Sequence, residues 1–176
     1  MDVVNQKLDL SYYVLKDVPA ALKKLGRATV KAFDVRSRFV HFEFFRLTKA
    51  KPGLGKVGDF VGLEVNMRPA GGYTPDMMNF AHSTDVYTIW ADMVLYDRKL
   101  LQPGGKDHLC VYYGRRDCHN YLHSHEEIMQ KYGDRMAMTM RMAKAISPAM
   151  GDQSYTIHAY SEKEKNEFLE FVSALK

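Results

Sequence analysis

The chain has few of the residues that staple, anchor or steer a protein. Two cysteines, Cys110 and Cys118, are too few for a disulfide framework and fit a reducing compartment. No uncharged stretch approaches the roughly 18 residues that a membrane-crossing helix needs. The start, Met1-Asp-Val-Val-Asn5, lacks the basic region and apolar run of a signal peptide. Together these absences predict a cytoplasmic protein with no membrane partner. Charge of one sign is also scarce. The net charge is +4, and the basic residues are scattered as Lys23-Lys24, Lys49-Ala-Lys51 and Arg115-Arg116, with acids between them. Without a basic stripe, nucleic acid is not an expected partner. Repeats, linkers and low-complexity segments are missing as well. What remains is an ordinary globular composition, 46% hydrophobic and 26% charged over 176 residues. That length predicts one domain, 1–176, able to bury about two thirds of its unfolded surface.

The pattern along the chain predicts an α+β fold. Extended segments are expected around Val3 and over 12–15. Asp17 reads as an N-cap with Pro19 in the first turn, and Leu22, Leu25, Thr29 and Phe33 recur at helical spacing to about Asp34. Two strands follow, about 38–48 and 60–68, joined by a polar, glycine-rich hairpin loop. Thr74-Pro75-Asp76 and Ser83-Thr84-Asp85 read as two helix starts, the second helix carrying Trp90 as a packing residue. A strand is expected over 109–113. Ser124-His-Glu-Glu127 and Ser161-Glu-Lys-Glu164 have the form of capping boxes, for a short helix to about Tyr132 and a C-terminal helix to Leu175. Methionines at 136, 138, 140 and 142 alternate with other residues, which argues for a strand whose methionines fill core. A further strand near 155–160 completes a mainly antiparallel sheet flanked by helices.

Polar side chains interrupt the two apolar strands of the hairpin. Glu43 sits in Arg38-Phe-Val-His-Phe-Glu-Phe-Phe-Arg46, and Glu64, Asn66 and Arg68 sit in Phe60-Val-Gly-Leu-Glu-Val-Asn-Met-Arg68. Residues two apart on a strand share a face, so Glu64 and Asn66 project together and Arg68 extends the row. Clustered oxygen ligands suit a hard cation such as Mg²⁺, which itself bridges phosphate oxygens. An adjacent arginine matches a phosphate or carboxylate. A solvent-facing row on a half-buried strand would give the same alternation with no function.

With those residues in view, the chain resembles the C-terminal part of an ATP-grasp enzyme, nearest to the carbamoyl-phosphate-synthase-like carboxylate–amine ligases. The resemblance rests on His41-Phe-Glu43 and, one hairpin later, Glu64-Val-Asn66-Met-Arg68. Gly71-Gly72 leading into a helix belongs to the same pattern. It is strongest over 18–98, about half the chain. The resemblance implies that Glu43, Glu64 and Asn66 hold Mg²⁺ (or Mn²⁺) between ATP phosphates. It implies that Arg68 meets the transferred phosphoryl group, and that backbone N–H groups at Gly71 and Gly72 receive an anionic substrate. The implied reaction activates a small carboxylate as an acyl phosphate for capture by an amine or similar nucleophile. The N-terminal and lid subdomains of such an enzyme have no counterpart before Glu43. On this reading the chain is a C-terminal fragment, inactive alone, whose partners include those missing subdomains. The rival expectations are a non-catalytic nucleotide- or metabolite-binding module of the same fold, and a structural fragment that self-associates as a homo-oligomer through an apolar face.

Other motifs carry less. Gly53-Leu-Gly-Lys-Val-Gly58 matches a dinucleotide fingerprint but precedes a strand rather than a helix, so it reads as a hairpin tip. Cys118, His119, His123 and His125 do not have the spacing of a structural zinc site. His41-Phe-Glu43 lacks the Pro-Cys-x-x-Cys of a zinc deaminase. Arg36, Arg38 and Arg46 read equally as anion ligands or as strand-edge solubility.

Overall fold

The computed structural model describes residues 2–102 and 104–176. In chain order the elements are α1 (Asp2–Asn5), β1 (Leu10–Val14), α2 (Ala20–Ala32), β2 (His41–Arg46), β3 (Phe60–Asn66), α3 (Thr74–His82) and α4 (Val86–Tyr96). Then come β4 (Leu109–Arg115), α5 (His125–Tyr132), a single 3-10 turn, β5 (Met136–Arg141), α6 (Ser147–Met150), β6 (Gln153–Ala159) and α7 (Glu162–Ser173). The chain forms two compact units. One comprises Met1–Lys16, Gly72–Thr84 and Gln102–Lys176; the other comprises Asp17–Gly71 and Asp85–Leu101.

The larger unit is built on a four-stranded antiparallel sheet in the order β1-β4-β6-β5. Strand β4, Leu-Cys-Val-Tyr-Tyr-Gly-Arg, is buried at every position. A near-continuous apolar run of that kind belongs to a strand covered on both faces. Its odd residues Leu109, Val111 and Tyr113 join Tyr155, Ile157, α5 Ile128 and α7 Phe168 and Val172 in one core. Its even residues Cys110 and Tyr112 join α3 Met77 and Ala81 with Met142 in the other. Each fully buried side chain of the size of Phe168 contributes about 1.5–3 kcal/mol relative to exposure. The backbones of Gly114 and Gly151 meet so closely that a Cβ on Gly151 would lie 2.7 Å from the Gly114 backbone. The methionine ladder is strand β5, and Met136, Met140 and Met142 pack in or against the cores.

Burial sets the ionisation of this unit's core. It pushes the Cys110 thiol and the Tyr12 phenol up to about 12, and raises Tyr112, Tyr113 and Tyr121 further. These groups stay neutral and inert at physiological pH. His158 Nδ1 faces His108 Nε2 at 2.5 Å. Burial, and His108 beside it, hold the His158 imidazole below its ordinary value. The unfolded chain therefore binds the proton more readily. Stability from this group is complete above about pH 6.5 and is lost as pH falls through the lower folded value. Urea midpoints should drop on mild acidification, and His158→Gln should flatten that drop; an unchanged profile would disprove the assignment.

The smaller unit pairs β2 with β3 in a two-stranded antiparallel sheet, accompanied by α2 and α4. Val18, Leu22, Gly26 and Val30 line a cleft with Val40, Phe42 and Phe44. Only Val86 and Asp92 of this unit are buried.

Several local expectations change in the structure. Val3 lies in helix α1 rather than in an extended segment. Helix α2 begins at Ala20 with Pro19 as N-cap and no side-chain cap, so Asp17 lies upstream of it. The Pro19 carbonyl accepts the first helical bond, from Lys23 N–H at 2.9 Å. Asp85 caps α4 by accepting from the Tyr87 and Thr88 N–H groups. Ser124 and Glu127 make a full capping box on α5. At α7 the box is half made. Ser161 accepts from the Glu164 N–H, but the Glu164 carboxylate turns to the N–H of Tyr160 instead of Ser161.

Candidate functional site

The hairpin β2–β3 positions the site. Its strands are closed by a loop whose backbone bonds run from Leu47 N–H to Asp59 C=O and from Gly58 N–H to Leu47 C=O, both 2.8 Å. The Asp59 carboxylate accepts from Lys56 N–H at 2.7 Å and holds the tip. The Gly-rich run at 53–58 therefore forms a turn between strands. Register pairs His41 with Asn66 and Glu43 with Glu64. The pairing shifts after Glu43, where Phe44 faces Gly62 and Leu63 becomes the extra residue. Directly opposed residues share a face, as do residues two apart on one strand. His41, Glu43, Glu64 and Asn66 therefore form a two-by-two polar block on one face of an otherwise apolar hairpin.

The electrostatics of the block are unbalanced. Two carboxylates directly opposite each other repel, at a cost of roughly 0.2–1 kcal/mol. His41 Nε2 lies 3.6 Å from Glu43 Oε1, with the two side chains 29% and 39% exposed. His41 Nδ1 and Asn66 Nδ2 are buried without a hydrogen-bond partner. Buried polar atoms without a protein partner are rare and are ordinarily met by water or a ligand. The donor set of two carboxylates and an amide fits a hard divalent cation. Among the described residues, no three His, Cys, Asp or Glu side chains gather to hold a metal ion. That incompleteness is compatible with Mg²⁺, which takes one or two carboxylates and completes its shell with water and substrate phosphates.

Arg68 and the glycines lie differently from the strand row. Strand β3 ends at Asn66, so the alternation does not extend to Arg68. Arg68 is exposed, and its guanidinium donates to the Pro69 carbonyl at 3.0 Å. A Cβ on Gly71 would meet nothing, whereas Gly72 has φ +61 and a Cβ there would lie 3.3 Å from Met150 Cε. Gly71 closes the smaller unit's first segment and Gly72 opens the larger unit's second. Helix α3 follows with no side-chain cap, and Asp76 already places an acid in its first turn. Arg36 is held by Asp34 through bonds of 3.1 and 3.0 Å.

His41 is the residue that sequence reasoning left out of the site. Its signal was the spacing His41-Phe-Glu43, which puts it beside Glu43 on the same face once a strand is assumed. The other histidines have structural partners. His119 Nδ1 lies 3.0 Å from Asp9, His125 Nδ1 lies 3.0 Å from the Tyr155 hydroxyl, and His123 stacks on Phe171.

The mixed architecture, a four-stranded antiparallel sheet flanked by helices, is part of an ATP-grasp fold. The comparison that shows it is with phosphoribosylglycinamide synthetase from Anaerococcus prevotii. It is similar to 95% of this chain with a TM-score of 0.60, at 10% sequence identity. The chain spans 44% of that protein. At such low identity the likeness concerns the fold. No family model matches the chain, and no curated protein matches it in sequence. Among the described residues, no helix is long and apolar enough to cross a membrane.

Proposed function

We propose that this chain is the metal- and phosphate-binding part of an ATP-dependent carboxylate–amine ligase of the carbamoyl-phosphate-synthase-like kind. The observation that carries this reading is the placement of Glu43 opposite Glu64 with Asn66 two residues along the same face. Glu43, Glu64 and the Asn66 amide oxygen would hold Mg²⁺. A bound Mg²⁺ would neutralise charge on the nucleotide phosphates. Arg68 sits just past the strand end, exposed, where a planar guanidinium can pair with two oxygens of a phosphoryl group. Its bond to Pro69 C=O would orient it. Backbone N–H groups at Gly71 and Gly72 would receive the anionic end of the carboxylate substrate. These residues bind and align; none needs to act as a nucleophile, because phosphoryl transfer depends on positioning and charge stabilisation. The adenine pocket, phosphate-binding lysines and lid would come from further subdomains.

Mn²⁺ titration of this chain, read by water-proton relaxation with and without ADP, tests the reading. The expected result is an enhancement that grows with ADP and disappears in Glu64→Gln. No enhancement under either condition, or full enhancement in the variant, would remove the site from the hairpin.

A further inference from the structure

The larger unit brings two imidazoles nitrogen to nitrogen at one end of its sheet. His108 immediately precedes strand β4, and His158 lies in the neighbouring strand β6. His108 Nε2 is 2.5 Å from His158 Nδ1, closer than a nitrogen donor and its acceptor ordinarily stand. The other nitrogen of His108, Nδ1, lies 3.1 Å from the Lys106 carbonyl oxygen. A carbonyl can only accept, so His108 Nδ1 carries the proton and Nε2 turns a bare lone pair toward His158. Neighbouring rings hold both imidazoles in place. Tyr160 lies 5.5 Å from His108, and Phe80 of α3 meets His158 edge-on at 6.0 Å. Burial also keeps His158 neutral, which is the form that binds metal.

We propose that His108 Nε2 and His158 Nδ1 together bind a divalent transition ion of the Zn²⁺ or Cu²⁺ kind, with water completing its shell. Three features favour an ion over a hydrogen bond alone. A metal-bound histidine characteristically donates its other N–H to a backbone carbonyl or carboxylate, as His108 does to Lys106. Imidazole nitrogen is a ligand that zinc and copper prefer. The space required is also small. Two nitrogens each about 2.0–2.1 Å from one tetrahedral ion lie roughly 3.3 Å apart, so the rings need to part by less than about 1 Å. His108 is half-buried and lies just outside the strand, which leaves it free to make that move. Binding at His158 Nδ1 leaves that ring's proton on Nε2, so the neutral ring changes tautomer and loses no proton. Among the described residues, no third His, Cys, Asp or Glu side chain joins the pair. The site is therefore an open one, with exchangeable water positions in place of a closed structural set. Its nitrogen donors separate it in chemistry from the carboxylate and amide block of the hairpin, which suits a hard ion.

Calorimetric titration with Zn²⁺ in excess Mg²⁺ is the test, with the electron spin resonance spectrum of bound Cu²⁺ as a second reading. The expected result is one Zn²⁺ per chain and a Cu²⁺ spectrum split by two nitrogens. His108→Gln and His158→Gln should each weaken Zn²⁺ binding about tenfold or more, since a ligand counts for at least as much as the groups behind it. Cys118→Ser should leave binding unchanged. If His158→Gln fails to fold, His108→Gln still decides, because His108 stands outside the buried strand. Absence of Zn²⁺ binding overturns the proposal. Binding that survives His108→Gln at full strength also overturns it, since the ion would then sit on other side chains.

Discussion

Gly114→Ala is expected to cost about 3 kcal/mol or more and to lower the melting temperature by roughly 6–12 °C. A methyl group at Gly114 would run into the carbonyl oxygen of Met150, a backbone atom that cannot rotate away. The obstruction sits where strand β4 passes Met150 and Gly151 just ahead of β6. Several bonds fix the two segments there: the Met150 carbonyl accepts the Tyr112 hydroxyl at 2.8 Å, and Asp152 N–H donates to Arg115 C=O at 2.7 Å. The buried Arg116 guanidinium adds bonds to the carbonyls of Leu8, Ser147 and Pro148. Relief would require breaking this network. Gly151→Ala should be as harmful, because its φ of +92 strains any side chain in addition to the contact. Gly26→Ala is the control. It lies within α2 with nothing near its Cβ, and alanine there should stabilise by about 0.5–1 kcal/mol. Thermal unfolding followed by circular dichroism reads all three, and an unaltered midpoint for Gly114→Ala would refute the close approach.

Glu64→Ala, within an active enzyme that contains this chain, is expected to reduce turnover about a hundredfold or more with no loss of stability. The two halves of that expectation have one cause. Glu64 faces Glu43 across the hairpin, so removing it relieves repulsion in the unliganded protein, while on the proposed reading it also removes a ligand for Mg²⁺. A structural carboxylate would behave in the opposite way, losing stability first. Asn66→Ala should show the same split, because its buried Nδ2 has no partner to lose. Normal turnover in both variants would sink the assignment, and a large fall in melting temperature would mean that the residues are structural.

Much of this architecture could be read locally, and the exceptions share a cause. Asp85 and Ser124 announce their helices because a cap and its N–H partners lie within three residues of sequence. The β4 core strand was legible from composition alone. Helix α2 starts after Pro19 rather than at Asp17, and the Glu164 carboxylate chooses Tyr160 over Ser161. Both alternatives satisfy the same local chemistry, so spacing cannot separate them. The Gly114–Gly151 crossing was beyond reach, since nothing near either glycine in sequence points to the other. In the candidate site, the shared face of Glu64 and Asn66 follows from strand period. The pairing of Glu43 with Glu64 does not, because the extra residue Leu63 breaks the simple count back from the hairpin loop. The spacing of His41 and Glu43 places them on one face, but only the register brings His41 opposite Asn66.

The division of the chain into interleaved segments bears on how the protein is made. Strand β1 pairs with β4, Leu10 against Gly114. During synthesis at about 5–20 residues per second, β1 therefore waits roughly 5–20 seconds for its partner to be translated. Leu10-Ser-Tyr-Tyr-Val14 carries no charge and has strong strand preference, so for that interval it is a bare, adhesive edge. The smaller unit's hairpin, complete by Asn66, can form in the meantime.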